Sequence, residues 1–262
     1  MSDLLLSERQ DAVLTLTLNR PDSLNALTTQ LLRALTAAFA AAGRDGGVRA
    51  ILVTGAGRAF CAGQDLKEVA ARGWDAQADL GEDLRLSYMP LIRAIRGCPQ
   101  PVIAAINGVA AGAGLSLALA CDLRLAAAGA ELVVAFVRVG LVPDAGSLFF
   151  LSRMLGLSKA TQLALTGEAL AVEEAQRLGL VAAVVPSDQL PAVAAEQARQ
   201  LAVGPAKTYA LIKRGLERAL DRDLEQVMEL EAQLQALVAK SSDTREAIEA
   251  FLEKRKPVFR GR

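Results

Sequence analysis

The sequence predicts an α/β fold with parallel strand pairing, followed by a C-terminal region built from helices. Two observations support this prediction. Strand-type segments alternate with helix-type segments as far as Pro186, and such alternation is typical of a parallel sheet covered by helices. After Pro186 the helix-type pattern continues with no strand-type segment between. The chain of 262 residues is long enough to bury a substantial core.

The segments of the predicted core follow one another in a regular order. Residues 13–18 alternate apolar and polar side chains with a period of two, as a half-buried strand does. Residues 20–23 include a proline and polar residues, which end this strand. The remaining predicted strands are 50–55, 101–106, 122–126 and 181–185, and the predicted helices are 28–42, 112–120 and 148–155.

Helix-type segments alone follow the predicted core. They lie at residues 192–202, 206–220, 224–240 and 244–254. We place the boundary within residues 190–204, so that residues 1–195 form a core and residues 196–262 form a helical region. This region is expected to pack on the core or on a neighbouring subunit. Its basic tail, Lys254-Arg255-Lys256, is typical of a solvated run of charge.

The absence of histidine limits the possible chemistry more than any other feature of the composition. It excludes Ser-His-Asp and Cys-His catalysis and the usual histidine-ligated metal sites. A general acid or base must then be Asp, Glu, Lys, Tyr or Cys, and a carboxylate is the leading candidate. The three cysteines are far apart and odd in number, so they predict neither a disulfide framework nor a metal site.

Charge and hydropathy narrow the expected partners and location. Lys+Arg and Asp+Glu both total 29, a balance unlike the basic surface of a nucleic-acid-binding domain. No apolar run reaches the length of a membrane span. The N-terminus lacks the basic-then-apolar layout of a signal peptide. We therefore expect a cytoplasmic protein that binds neither nucleic acid nor membrane.

Two segments of small residues are candidates for chemistry at the backbone. Residues 55–66 follow a predicted strand, and residues 107–116 open a predicted helix. A glycine-rich turn and a helix N-terminus both present N–H groups that can bind a developing oxyanion. Each segment also fits an ordinary structural role, the first as a strand-to-helix connection and the second as close packing of a helix on a strand.

Asp144 is the candidate acid or base. It is the lone acidic residue between Leu132 and Gly167, and it follows the segment 140–143. An Asp at this place is also a frequent N-cap of the helix that follows, which would stabilise its anion. Burial among the neighbouring phenylalanines would instead favour the neutral acid. The sequence leaves both possibilities open, and a carboxyl group under such opposed influences suits a proton shuttle.

In their order and spacing, these segments resemble the crotonase superfamily, also called the enoyl-CoA hydratase/isomerase family. The resemblance covers nearly the whole chain, which is therefore identified as a member of the superfamily. It runs through Leu18-Asn19-Arg20-Pro21, Leu24-Asn25-Ala26-Leu27, Ala59-Phe60-Cys61-Ala62-Gly63-Gln64-Asp65-Leu66, Pro101-Val102-Ile103-Ala104-Ala105-Ile106-Asn107-Gly108, Ala120-Cys121-Asp122, Gly140-Leu141-Val142-Pro143-Asp144 and Thr166-Gly167-Glu168-Ala169-Leu170.

The resemblance implies a crotonase spiral of ββα units whose C-terminal helices mediate trimerisation, giving a homotrimer or a dimer of trimers. It implies an acyl-CoA thioester substrate, with no other cofactor because coenzyme A is part of the substrate. Two backbone N–H groups, by position those of Gln64 and Ala113, would polarise the thioester carbonyl, and Asp144 would be catalytic. The residues implied to contact the substrate are Asn25, Ala26, Leu27, Ala62, Gly63, Asp65, Leu66, Gly112, Phe136 and Leu141.

Some of these implied contacts have a structural alternative. Asp65 suits equally well the N-terminus of an ordinary helix. The wall of the acyl pocket is expected from residues 72–89, a segment with little pattern. The identity of the acyl group therefore does not follow from the sequence.

Departures from the family pattern predict the subtype. Hydratases of the family carry two glutamates that activate water, and the matching positions here are Ser116 and Phe136. Asp144 stands where several isomerases and dehalogenases of the family carry their acid. The chain is most similar to the family's ring-epoxide isomerases, which convert 1,2-epoxyphenylacetyl-CoA to an oxepin-CoA. We therefore predict an acyl-CoA isomerase; a Δ3,Δ2-enoyl-CoA isomerase, an enoyl-CoA hydratase and an inactive acyl-CoA-binding paralogue are the alternatives.

Overall fold

A computed structural model of the chain describes residues 3–71 and 79–261. Within these ranges the strands form one sheet of six strands and one of four. The strands are β1 (Leu5–Gln10), β2 (Val13–Leu18), β3 (Ala50–Gly55), β4 (Ala59–Cys61), β5 (Val102–Ile106), β6 (Val109–Ala111), β7 (Leu123–Ala127), β8 (Glu131–Val133), β9 (Ala169–Ala171) and β10 (Ala183–Val185).

The α-helices of the described residues surround these strands and extend beyond them at the C-terminus. They are α1 (Thr29–Ala42), α2 (Leu66–Ala71), α3 (Leu80–Asp83), α4 (Met89–Gly97), α5 (Ala113–Ala120), α6 (Ser147–Thr166), α7 (Val172–Arg177), α8 (Leu190–Ala202), α9 (Ala206–Ala219), α10 (Leu224–Val238) and α11 (Ser242–Leu252). A π-helical turn, Leu84–Tyr88, joins α3 to α4. In the part of the chain that the structure describes, no helix combines the length and apolarity needed to cross a membrane.

The six-stranded sheet carries the main core. Its order is β1-β2-β3-β5-β7-β10; β1 pairs with β2 in antiparallel fashion, and the other neighbours are parallel. Along β3, Ile51 and Val53 belong to a core cluster shared with α1, whereas Ala50 and Leu52 belong to a second cluster shared with α8. Helices thus bury both faces of the central strands, and the predicted α/β fold with parallel pairing is confirmed.

The four-stranded sheet has the order β4-β6-β8-β9. Its first three strands each follow a strand of the larger sheet, so the chain runs β3-β4-α2, then β5-β6-α5, then β7-β8 before α6. This succession is the spiral of ββα units that the family resemblance implies. The sequence pattern misses all four strands because each has only three residues, too few to show a period.

The predicted ends of helices and strands lie within two residues of those in the structure, whereas β1, α2, α3, α4 and α7 were not predicted. The helix predicted at 148–155 ends where predicted, because Gly156 has a non-helical φ of 73° and ψ of 162°; a second helical segment follows this kink and continues to Thr166. The predicted division at 195/196 falls inside α8, where Leu190, Ala194 and Ala198 pack on the larger sheet. The division into a core and a helical region stays a prediction.

Asn25 fixes the loop that precedes α1. Its side chain is fully buried, and its φ of 58° lies in the left-handed region, which Asn tolerates better than most residues. The side-chain amide donates to the carbonyl oxygens of Ala56 and Ala59 at 2.9 and 2.8 Å, and Oδ1 accepts the N–H of Arg20 at 2.9 Å. The loop is thereby tied to the turn before β4 and to the first residue of that strand.

We expect Asn25→Ala to lower the free energy of unfolding by about 2–4 kcal/mol, because buried backbone groups lose a partner. Denaturant unfolding measures this loss. The control is Asn19→Ala, since the Asn19 side chain makes a solvent-exposed hydrogen bond to the Asp3 carbonyl. The control should change stability by less than about 0.5 kcal/mol. Equal effects of the two substitutions would contradict the role assigned to Asn25.

Candidate active site

Two backbone segments meet where β4 and β6 end. These strands are parallel neighbours, so their carboxyl ends lie at the same edge of the smaller sheet. Gly63, just beyond β4, has a φ of 99°, and a Cβ atom on it would lie 2.8 Å from the carbonyl oxygen of Ala111 and 3.3 Å from the amide nitrogen of Ala113. Only glycine permits this approach, which brings the peptide between Gly63 and Gln64 close to the start of α5.

The N–H groups of Gln64 and Ala113 are both free at this junction. Leu27 donates to the Gly63 carbonyl at 2.7 Å and accepts from the Asp65 N–H at 3.0 Å, so in this parallel bridge the N–H of Gln64 points away from Leu27. Ala113 is the first residue of α5, where N–H groups lack partners within the helix. Neither N–H donates to an acceptor within residues 3–71 and 79–261.

Asp144 lies in the loop before α6, and its backbone is firmly held. Its carbonyl oxygen accepts hydrogen bonds from the Ser116 hydroxyl at 3.1 Å and from the Ser147 N–H at 2.9 Å. The N-cap of α6 is Gly146, without a side-chain cap, so the alternative that Asp144 caps this helix is wrong. The Oδ1 atom is buried, and no hydrogen-bond partner for it occurs in the described parts of the chain.

Burial decides the electrostatics of this carboxyl group. Removal from water disfavours the anion, and it raises the pKa of Asp144 to about 6. A group with such a pKa is mostly ionised at neutral pH but takes up a proton readily. That property suits a group that first accepts a proton and then returns it.

Gln64 and Asp144 both line a cavity of about 230 Å³. The rest of its lining is Leu80, Gly81, Leu84, Leu141, Val142 and Pro143. Apart from Gln64 and Asp144, the residues that line the cavity have no polar side chain, so the cavity favours an apolar group over water. Leu80, Gly81 and Leu84 belong to the predicted pocket wall at 72–89, of which residues 72–78 lie outside the described residues.

The two positions that match the hydratase glutamates hold no acid. Ser116 is buried, and its hydroxyl lies 2.6 Å from the Ser147 hydroxyl and 3.3 Å from the Gly112 carbonyl oxygen, besides its bond to the Asp144 carbonyl. Phe136 is buried, and its ring comes within 4.0 Å of the point where a Cβ of Gly112 would lie. Ser116 therefore connects α5 to the Asp144 loop, and Phe136 lines the start of α5.

Asp65 has a structural environment. Its carboxylate forms a salt bridge with Arg20 at 2.8 Å and accepts the N–H groups of Lys67 and Glu68 at 3.0 and 3.2 Å. Burial alone would raise the pKa of Asp65, but these hydrogen bonds and the Arg20 charge hold it below its usual value. The contacts of Asp65 are therefore those of an Asp at the N-terminus of a helix, which was the structural alternative to a contact with the substrate.

The remaining predicted residues divide into two groups. Gly63, Gly112, Phe136 and Leu141 lie around the free amides and the Asp144 cavity. The side chains of Asn25, Ala26 and Leu27 are buried in the loop before α1, Ala62 donates its N–H to the Leu24 carbonyl at 2.9 Å, and Leu66 is half exposed. The side chain of Asn25 makes hydrogen bonds within the fold. The predicted contact of Asn25 with coenzyme A would therefore have to come from its backbone.

Sequence reasoning did not single out Ser147 or Tyr88. Ser147 completes the hydrogen bonds that hold Ser116 and the Asp144 loop, and long-range hydrogen bonds of this kind have no local pattern. Tyr88 is buried within the segment 72–89, and the Asp144 charge acts on it. The one signal for Tyr88 was its rarity, since the chain has two tyrosines.

Comparison with known proteins identifies the family of this chain. The family model for enoyl-CoA hydratase/isomerase matches residues 8–262. The chain is 44% identical to a Rhodobacter capsulatus protein described as a probable enoyl-CoA hydratase, over 97% of each chain. It is 41% identical to the 1,2-epoxyphenylacetyl-CoA isomerase of Escherichia coli, over 100% of both chains. The crystal structure of an enoyl-CoA hydratase from Mycobacterium smegmatis matches with a TM-score of 0.92 at 34% identity, covering 98% of this chain and 99% of that one. The chain belongs to the enoyl-CoA hydratase/isomerase family.

Proposed function

We propose that this protein is an acyl-CoA isomerase that uses Asp144 as its single acid/base group. The observation that carries the proposal is the buried, unpartnered Oδ1 atom of Asp144, a half-buried residue that lines the same cavity as Gln64. The proposed substrate is a thioester of the 1,2-epoxyphenylacetyl-CoA type. The 41% identity to the Escherichia coli isomerase of that substrate supports this choice.

In the proposed mechanism, the thioester oxygen binds between the N–H groups of Gln64 and Ala113. Loss of a proton from the acyl chain places negative charge on this oxygen, and the two donors stabilise the enolate that forms. In well-studied oxyanion holes, one such donor contributes about 3–4 kcal/mol to the transition state. The position of Ala113 at the N-terminus of α5 adds the favourable field of the helix dipole.

Asp144 then moves the proton. At neutral pH its carboxylate accepts a proton from one carbon of the acyl group and returns it to another, so the reaction neither gains nor loses atoms. Leu141 and Val142 line the cavity beside it and help exclude water, which would otherwise compete for the proton. Proton transfer of this kind needs no cofactor besides the coenzyme A of the substrate.

The side chains at 116 and 136 favour isomerisation over hydration. Water addition in the family uses two glutamates, and here Ser116 makes hydrogen bonds to protein groups while Phe136 is apolar. A hydratase would have to activate water with Asp144 alone. The second candidate is a Δ3,Δ2-enoyl-CoA isomerase of aliphatic chains, which the same carboxyl group and apolar lining also support.

We expect Asp144→Asn to lower kcat by a factor of about 10²–10⁴, because the amide can neither accept nor return the proton. Turnover of 1,2-epoxyphenylacetyl-CoA and of a β,γ-enoyl-CoA measures the loss and shows which substrate the wild type prefers. The variant should still bind a saturated acyl-CoA with nearly unchanged affinity, since it retains both backbone amides.

The matched control is Asp188→Asn, which removes an exposed carboxylate outside the candidate site and should leave kcat unchanged. Near-normal turnover in Asp144→Asn would refute the proposal. Binding of acyl-CoA with no turnover of enoyl, epoxide or crotonyl thioesters by the wild type would instead favour an inactive paralogue.

The raised pKa predicts how activity and stability depend on pH. Since the base must be ionised, kcat/KM of the wild type should fall as pH drops below about 6. The folded state holds the Asp144 proton more tightly than the unfolded state, so the contribution of this group to the free energy of unfolding falls as pH rises from 3.8 to about 6. Asp144→Asn should lack this contribution, which denaturant unfolding at several pH values would show. An activity profile flat down to pH 4.5, well below about 6, would contradict the assignment.

We also propose that the protein assembles as a homotrimer or a dimer of trimers through its C-terminal helices. In α9 to α11 several large apolar side chains face solvent in the single chain, among them Leu216, Leu224, Ile248 and Phe251. Exposed apolar groups of this number are typical of surfaces that partners cover.

For this assembly we expect Phe251→Glu to shift the mass in solution towards the monomer, because a charge would be buried at the contact. Light scattering after gel filtration measures the mass. Leu6→Glu, which changes an exposed leucine on β1, is the control and should leave the mass unchanged. A monomeric wild type at micromolar concentration would exclude the proposed assembly.

A further inference from the structure

The π-helical turn Leu84–Tyr88 presents two residues to the candidate active site. The N–H of Met89 reaches back to the carbonyl of Leu84, which widens the helix by one residue, and such turns occur frequently at functional sites. Leu84 lines the Asp144 cavity. Tyr88, at the other end of the turn, is only 4% exposed.

The hydroxyl of Tyr88 has no partner of its own. Within residues 3–71 and 79–261 no hydrogen bond involves this group, and Tyr88 has no further interaction beyond those described. The side-chain atoms that are both buried and unpartnered in the described residues do not include the Tyr88 oxygen, so this oxygen keeps some accessible surface. A tyrosine hydroxyl so placed usually hydrogen-bonds to water or to a ligand. The partner of Tyr88 is therefore expected to come from outside the chain.

A small cavity adjoins this side chain. Its volume is about 10 Å³, and its lining includes both Tyr88 and Gln64. Such a volume holds one water molecule or one oxygen atom of a ligand. Because Gln64 also lines the Asp144 cavity, the small cavity lies next to the place where the acyl group would react.

The surrounding charges define the ligand atom that fits. Burial raises the pKa of Tyr88 above its usual value, and negative charge on Asp144, Glu68 and Asp83 raises it further. The hydroxyl therefore stays protonated and can donate a hydrogen bond. The nearby carboxylates would repel an anion, so the matching acceptor is a neutral oxygen, as in an epoxide, ether or hydroxyl group.

We propose that Tyr88 forms a subsite for a neutral oxygen atom on the acyl group of the thioester. This inference rests on the proposed function, because it takes Gln64 and Asp144 as the reacting end of the site. The subsite makes the protein select oxygenated acyl groups over plain hydrocarbon ones. A hydrocarbon group that displaces water from the Tyr88 hydroxyl leaves this donor unpaired, and that loss opposes the binding of a substrate without the oxygen.

The first test compares two stable ligands, 2-hydroxyphenylacetyl-CoA and phenylacetyl-CoA, which differ by one oxygen atom. Calorimetric titration of the wild type should show a dissociation constant about tenfold lower for the hydroxylated ligand. Tyr88→Phe keeps the ring and removes the donor, so it should reduce this preference to less than about twofold. Tyr209→Phe changes the other tyrosine of the chain and should preserve the preference.

The second test uses turnover. Tyr88→Phe should lower kcat/KM for 1,2-epoxyphenylacetyl-CoA by about tenfold or more and leave a β,γ-enoyl-CoA within about twofold. The subsite is refuted if the wild type binds the two stable ligands equally, if the preference survives in Tyr88→Phe, or if both substrates lose activity alike. The binding comparison needs no turnover, whereas Asp144→Asn tests the proposed function, so failure of one is distinguishable from failure of the other.

Discussion

The close approach of two backbone segments is the constraint on which the candidate site depends. Gly63 lies so near the Ala111 carbonyl that any side chain at this position would overlap with it. Parallel pairing of β4 with β6 delivers both segments to one edge, and the bridge from Leu27 holds Gln64 from the opposite side. This contact of backbone with backbone brings the peptide that precedes Gln64 close to Ala113 and requires no side chain at all.

Asp144 shows how a fold keeps an acid in an unfavourable place. A buried carboxyl group without a hydrogen bond is costly, and it persists only where its surroundings hold the backbone firmly. Here Ser116 and Ser147 hold the Asp144 carbonyl, while the carboxyl group faces an apolar cavity. The hydrogen bonds thus fix the position of the loop, while the carboxyl group of Asp144 remains available to a ligand.

Part of the larger sheet could be predicted because strands such as β2 and β3 are long enough to show an apolar pattern, whereas β1, whose side chains are mostly exposed, was missed. The strands of the smaller sheet escaped prediction because three residues carry no period. Asp144 could be found from the lack of histidine and from its isolation among apolar residues, but its ionisation could not. The ionisation of Asp144 depends on whether its carboxyl group caps α6. Only the structure shows that the N-cap is Gly146.

The hydroxyl of Ser116 has a consequence for how this site could change its chemistry. It occupies the place where hydratases of the family keep an acid, yet it serves as a brace between α5 and the start of α6. An acidic side chain at position 116 would remove the hydrogen bonds from the Ser116 hydroxyl to the Asp144 carbonyl and to Ser147. The loop that carries Asp144 would then be held less firmly. A larger side chain at position 116 therefore needs compensating substitutions in the loop before α6, so this position cannot change independently of that loop.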